Sequence, residues 1–281
     1  MSPLLKDVKH ILVLSGICAT FVMMKITFSK YQGTGNDFVM LDNMTGEYDT
    51  LSIKQIQFLC NRKLGVGADG LIKLSKKEGF DFEVEYFNAD GSQSFCGNGA
   101  RCSVAFAKAI GIIGDKTEFY AIDGGHKAFV IDNEVKLEML DVDSFELNEK
   151  DYIIDTGSPH YVRLVNDIEA VNIIEFGRAV RYSETYQEDG INVNTLAITG
   201  ECQIDVATYE RGVEDETLSC GTGVTACALA YMKMNDIQEA KVDVSTKGGN
   251  LSVQAKVNEK GFNDIWLKGP ATFVFNGAID A

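Results

Sequence analysis

Short stretches of strict alternation dominate the chain. Met24-Lys25-Ile26-Thr27-Phe28-Ser29-Lys30 alternates apolar and polar side chains, which predicts an opening strand half-buried on one face. Phe82 to Phe87 and Gln203 to Tyr209 alternate in the same way. Thr117 to Ile122 with Lys127 to Ile131, and Lys241 to Ser245 with Asn250 to Gln254, each flank a Gly-Gly pair, Gly124-Gly125 and Gly248-Gly249, and predict two hairpins. Between these strands lie two Ala-rich segments of helical character, Ala100 to Ile110 and Val224 to Met234.

The pattern is a repeat. Cys96-Gly97-Asn98-Gly99 recurs as Cys220-Gly221-Thr222-Gly223, and the two Gly-Gly pairs are separated by the same displacement. Each half therefore reads strand, Cys-Gly-x-Gly loop, helix, strand, Gly-Gly turn, strand. The expected fold is α/β of the α+β kind, with two similarly built lobes arising by duplication. A length of 281 residues suits two domains of about 140 residues each. The expected division is a lobe over residues 24–138, a second over 139–268, and a tail, 269–281, that returns to the first.

Composition narrows the field. With 26 Lys and Arg against 41 Asp and Glu, the net charge is −15, and such a surface repels nucleic acid. Hydrophobic residues make up 45% and charged residues 24%, the balance of a folded chain. Seven cysteines without a C-x-x-C pair, and only three histidines, argue against a metal site or a disulfide framework. Cys60, Cys102, Cys202 and Cys227 read as packing residues, and His126 is given no role. Ile11 to Met24 is an apolar run after Lys6 and Lys9, too short to span a bilayer. Residues 1–23 read as an upstream extension ahead of a start at Met24; an export signal and an accessory helix are the alternatives.

A cysteine at a helix start meets unpaired N–H groups and the positive end of the helix dipole, which favour thiolate and also bind carboxylate. Two such loops facing one cleft suit inversion of a stereocentre beside a carboxylate. One thiol removes the α-proton from one face and the other returns a proton to the opposite face. Charge building on the carboxylate is held by the helix starts.

The motifs then carry a resemblance. Asn88-Ala89-Asp90-Gly91-Ser92-Gln93-Ser94-Phe95-Cys96-Gly97-Asn98-Gly99-Ala100-Arg101, with Gly33 to Phe38, Gly65 to Gly70, Glu210-Arg211-Gly212 and Cys220 to Gly223, resembles the diaminopimelate epimerase family. The loop Gln93 to Phe95 is one residue shorter than the family's. The resemblance implies two pseudo-symmetric lobes, each a curved, mostly antiparallel sheet around a central helix, with the site between them. It implies catalysis with no cofactor and no metal, on a small amino-acid substrate, in the cytoplasm, with no nucleic-acid or membrane partner and with room for a homodimer. It implies Cys96 and Cys220 as the acid/base pair, His160 beside Cys96, and Glu210 beside Cys220. The substrate would be held by backbone at Gly97, Asn98, Gly221 and Thr222, by Asn36, Asn88 and Asn192, and by Arg211 on its distal carboxylate. Ser158 stands where the family has Asn, and that contact is not carried over. The rival readings are a proline- or hydroxyproline-type racemase on the same fold, a thiol redox sensor, and an amino-acid binding module.

Overall fold

The computed structural model describes residues 24–143, 145–148 and 150–281; the extension proposed for residues 1–23 lies outside them. In the first half the order is β1 (Lys25–Gly33), β2 (Asn36–Asp42), α1 (Ile53–Cys60), β3 (Gly70–Ser75), β4 (Glu83–Asn88), α2 (Gly97–Ala109), β5 (Lys116–Ala121), β6 (Gly124–Ile131) and β7 (Glu134–Glu138). The second half runs β8 (Phe145–Asn148), β9 (Asp151–Asp155), β10 (Pro159–Val165), α3 (Ile173–Arg181), β11 (Asn192–Gly200), β12 (Gln203–Glu210), β13 (Asp215–Thr217), α4 (Gly221–Met234), β14 (Glu239–Thr246), β15 (Gly249–Val257) and β16 (Phe262–Pro270). β17 (Thr272–Asp280) is the last described element.

The pairings repeat across the halves. β1, β2, β3, β4, β5, β6 and β7 lie side by side in that order, and β9, β10, β11, β12, β14, β15 and β16 do the same. Each series is flanked by one more strand, β17 against β1 and β8 against β9. The last strands of the two series, β7 and β16, pair antiparallel, with Lys136 opposite Lys268, and join everything into one seventeen-stranded sheet. The duplication is thus wider than the echo of Cys and Gly motifs.

Most pairs are antiparallel. The parallel ones are β2–β3, β4–β5, β10–β11 and β12–β14. A parallel pair requires a crossover, and α1, α2, α3 and α4 are those crossovers. α2 packs against β1, β2, β3, β4, β6, β7 and β17, and α4 against β9, β10, β11, β12, β14, β15 and β16, so each sheet curls around its own helix. Small residues permit this. Ala226, Ala228 and Ala230 are fully buried with Cys227 and Leu229, so α4 is apolar on every side, as a helix enclosed by sheet must be.

Two outer helices are additions to the expected plan. α1 starts on a Ser52–Gln55 capping box and buries Ile56 and Leu59 against Val39, Leu41 and Leu71. α3 covers Val193 and Tyr209. Phe38-Val39-Met40-Leu41 is therefore buried on both faces of β2 and reads as a continuous apolar run. Among the described residues, no helix is long and apolar enough to cross a membrane, and no cluster of three or more His, Cys, Asp or Glu could hold a metal ion.

Candidate active site

Cys96 and Cys220 are the N-cap residues of α2 and α4, in extended backbone just before each helix. The two helix starts abut: a Cβ placed on Gly97 would lie 3.9 Å from the Cα of Gly221. The thiols differ in their partners. Cys96 Sγ accepts from the N–H of Gly99 at 3.4 Å and donates to Asn36 Oδ1 at 3.5 Å. Cys220 Sγ lies 3.4 Å from Thr222 Oγ1.

Burial outweighs the hydrogen bonds from the helix-start N–H groups at both sulfurs. It pushes Cys96 up to about 11, against opposing hydrogen bonds from backbone N–H groups, and Cys220 up to about 12, with Glu210 adding to the rise. The lowered thiol pKa expected from sequence is not found, because the depth of these caps beneath the sheet is invisible in the sequence. In the substrate-free protein, alkylation of Cys96 and Cys220 by iodoacetamide is expected to accelerate about tenfold per pH unit from pH 7 to 10. A plateau above pH 8 in the peptide-mapped rates would show a thiolate already formed.

His160 is fully buried at the start of β10 and does not hydrogen-bond Cys96, the neighbour the resemblance gave it. Its Nε2 lies 2.9 Å from Thr222 Oγ1 and its Nδ1 3.1 Å from Asn194 Nδ2. Asn194 Nδ2 also donates to the carbonyl of Tyr161 at 3.1 Å, and Thr208 donates to Asn194 Oδ1 at 2.8 Å. A carbonyl only accepts, so this amide nitrogen faces the imidazole and Nδ1 is the acceptor. The ring proton then sits on Nε2 and goes to Thr222, whose hydroxyl is left to donate to Cys220. Burial and the nearby Arg211 hold His160 down at about 3, so the ring is neutral at working pH. The parallel register of β10 and β11 sets His160 opposite Asn192, and its ring lies against the start of α4, where a Cβ on Gly223 would be 3.3 Å from Cε1.

Glu210 ends β12. Burial raises its carboxyl, the Thr217 hydroxyl beside it opposes that, and its charge raises both thiols rather than Cys220 alone. Asn36 is held by Asp69, which accepts from Nδ2 at 2.7 Å; Arg62 in turn binds Asp69 and Asp37 at 2.7 and 2.6 Å. Asn98 Nδ2 donates across the seam to the carbonyl of Ser219 at 3.0 Å, tying α2 to the residue before Cys220.

The remaining expected residues are placed less directly. Asn88 accepts from Tyr86 and donates to Ser92 and Ser94, so its amide holds the loop that leads to Cys96. Asn192 is buried; it donates to Ser158 and to the carbonyl of Pro159, and accepts the Arg211 N–H at 2.9 Å. Arg211 is exposed, with Nη1 on the carbonyl of Asp189 at 2.8 Å. His126, given no role from sequence, is paired with Asp123 three residues before it at 2.8 Å and stacked on Phe95. Cys60, Cys102 and Cys227 are buried packing residues, as read, and Cys202 is half-buried. Sequence reading passed over Asn194, Thr208, Asp69 and Ser219. Asn194 had a signal, since it shares a strand face with Asn192 inside an apolar run.

Two pseudo-symmetric lobes with a capping thiol on each central helix define a class. The fold is that of a phenazine biosynthesis protein of the PhzF family from Bacillus anthracis (TM-score 0.71, 14% identity, 92% of this chain and 99% of that one). It is also that of a hydroxyproline epimerase from Agrobacterium vitis solved with trans-4-hydroxy-L-proline (TM-score 0.68, 14% identity, 91% of each chain). Sequence is more specific. The diaminopimelate epimerase family model matches residues 28–142 and 152–274, and the chain belongs to that family of isomerases. It is 44% identical to the diaminopimelate epimerase of Flavobacterium psychrophilum (89% of this chain, 98% of the relative) and 39% identical to that of Chlorobaculum tepidum (88% and 98%).

Proposed function

We propose that this protein interconverts L,L- and meso-diaminopimelate by two-base proton transfer between Cys96 and Cys220, without pyridoxal phosphate or metal, in lysine and peptidoglycan precursor synthesis. The observation that carries the reading is the abutting of two thiol-capped helix starts at Gly97 and Gly221. Backbone N–H groups of Gly97, Asn98, Gly221 and Thr222 hold the reacting carboxylate as negative charge builds on it.

The hydrogen-bond directions give the thiols different starting roles. Asn36 Oδ1 accepts from Cys96, which keeps Cys96 a thiol and makes it the acid. The Thr222 hydroxyl, whose oxygen accepts from His160, is free to donate to Cys220, offsets part of the burial that raises this thiol, and so serves it in the role of base. Burial keeps both protonated in the empty site. The α-ammonium of the substrate lowers the energy of a thiolate on entry, and Glu210 is the acceptor for the proton that leaves. Cys220 then takes the α-proton, Cys96 supplies one to the opposite face, and the roles are exchanged for the return direction. Arg211 pairs with the distal carboxylate, and Asn192 fixes the backbone that presents it. Asn36 and Asn88 line the approach. The chemistry needs both thiols reduced, which suits the cytoplasm.

The test is incubation of the reduced protein with L,L-diaminopimelate in D2O. Expected are meso product and one deuterium at the α-carbon, with no response to a chelator or to added pyridoxal phosphate. Turnover of proline in place of diaminopimelate would transfer the protein to the racemase reading, and no exchange with either would leave a binding module.

A further inference from the structure

Arg101 is among the largest fully buried side chains of the molecule, and it is a cation. It stands one turn into α2, with its stem directed back toward the helix start. Nη2 donates to Asn98 Oδ1 at 2.9 Å and to Thr34 Oγ1 at 3.3 Å. Nε and Nη1 have no hydrogen-bond partner. Among the described residues no carboxylate pairs with it; Glu134, whose charge reaches it, is itself bound to Lys268 at 2.6 Å. Burying a guanidinium without a counter-ion is costly, and a core position would be filled more stably by an apolar side chain.

Its surroundings show where that charge is aimed. A Cβ on Gly33 would lie 3.5 Å from Nη2, one on Gly221 3.7 Å from Nη1, and one on Gly269 3.4 Å from Nε. Backbone from β1, from the start of α4 and from β16 thus encloses the fork in the seam between the lobes. Gly221 directly follows Cys220, and Asn98, the main partner of Arg101, is two residues after Cys96. The cation lies behind both thiol-bearing helix starts.

It also sets a direction. A guanidinium only donates, so Asn98 must turn Oδ1 toward it. Asn98 Nδ2 is thereby committed to the carbonyl of Ser219 at 3.0 Å and to Asn36 Oδ1 at 3.4 Å. Asn36 Nδ2 is already held by Asp69, so its Oδ1 faces Cys96.

We infer that Arg101 is a positioning residue of the reaction: a built-in, unneutralised positive charge, placed behind the two helix starts, whose missing counter-ion is the negative charge that catalysis creates on the thiols and the bound carboxylate. It does not touch substrate. This inference rests on the two-thiol reading of the site. The charge stabilises the thiolate that Cys96 becomes when it gives up its proton, against the burial that raises it.

The test compares Arg101→Met and Arg101→Lys with the wild type, by peptide-mapped iodoacetamide alkylation of Cys96 from pH 7 to 10 alongside kcat and KM. In Arg101→Met, Cys96 is expected to react about tenfold more slowly at pH 8, a pKa raised by about one unit. Its kcat should fall more than a hundredfold, with KM within about threefold. Arg101→Lys keeps the charge and should alkylate within about threefold of wild type. If Arg101→Met does not fold by circular dichroism, Thr34→Asp supplies a carboxylate against Nη2 and should slow Cys96 alkylation to a similar degree. Wild-type alkylation and kcat in a folded Arg101→Met, or unchanged alkylation in Thr34→Asp, overturns the inference. Alkylation needs no substrate, so a wrong choice of substrate leaves its result intact and is exposed separately by the D2O experiment.

Discussion

Cys96→Ala and Cys220→Ala are each expected to lower the rate of epimerisation by at least about 10³-fold while leaving the fold intact. Inversion requires proton removal on one face and delivery on the other, and neither mutant retains both groups. The loss is thus not shared between the two sulfurs: either substitution alone stops the net reaction, as for residues that act as one unit. The substitution is small. Each cysteine caps its helix from extended backbone, and only Cys96 spends its sulfur on a helix N–H, so an alanine there loses one weak cap and the other loses none. A single mutant keeps one thiol, and slow α-proton exchange without inversion is expected from that side alone. The measurement is deuterium incorporation set against stereochemical conversion in the same sample. Conversion at the wild-type rate in either mutant would end the two-base mechanism for this protein.

Arg211→Leu is expected to raise KM by about 30- to 100-fold, with a smaller change in kcat. Breaking a charge pair that is desolvated in the complex costs about 2 to 5 kcal/mol, and the lower part of that range applies to a side chain exposed before the substrate arrives. Arg211 lies beyond the end of β12, with its backbone N–H on Asn192 and its Nη1 on the carbonyl of Asp189. Removing its charge leaves the thiol network of His160, Thr222 and Cys220 in place, so the proton-transfer step should survive at saturation. Unchanged KM would place the distal carboxylate elsewhere.

The sequence made the centre of each lobe readable and its outer layer less so. Cys96 and Cys220, the Ala-rich helices behind them and the Gly-Gly hairpins announced themselves because each is a local pattern repeated at one displacement. α1 was marked by Ser52 and Gln55, a capping box that is too short a signal to weigh against the surrounding polar residues. His160 was assigned to Cys96 by resemblance, and its turn toward Thr222 is decided by strand register, a long-range property. Nothing local in the sequence marks Arg101, the last residue of the motif around Cys96, as buried. Its burial depends on the second lobe arriving over it, with the backbone at Gly221 and Gly269 closing around the guanidinium. The raised thiol pKa values have the same origin: depth is a property of the assembled sheets.

The return of β17 to β1 has a consequence for how the protein is made. Lys25 pairs with Asp280 and Gln32 with Thr272, while Phe273 packs on Tyr31 and Phe275 on Phe28. Met24 and Ala281 exchange both backbone hydrogen bonds. During synthesis the first lobe emerges early, yet one edge of its sheet waits for the last strand of the described fold, and the other, β7, waits for β16. A nascent chain stalled before Thr272 therefore holds two open strand edges with aromatic side chains beside one of them, a state prone to misassociate. Folding of the N-terminal lobe is completed only when β16 and β17 have emerged, so the two lobes close together rather than in the order of their synthesis.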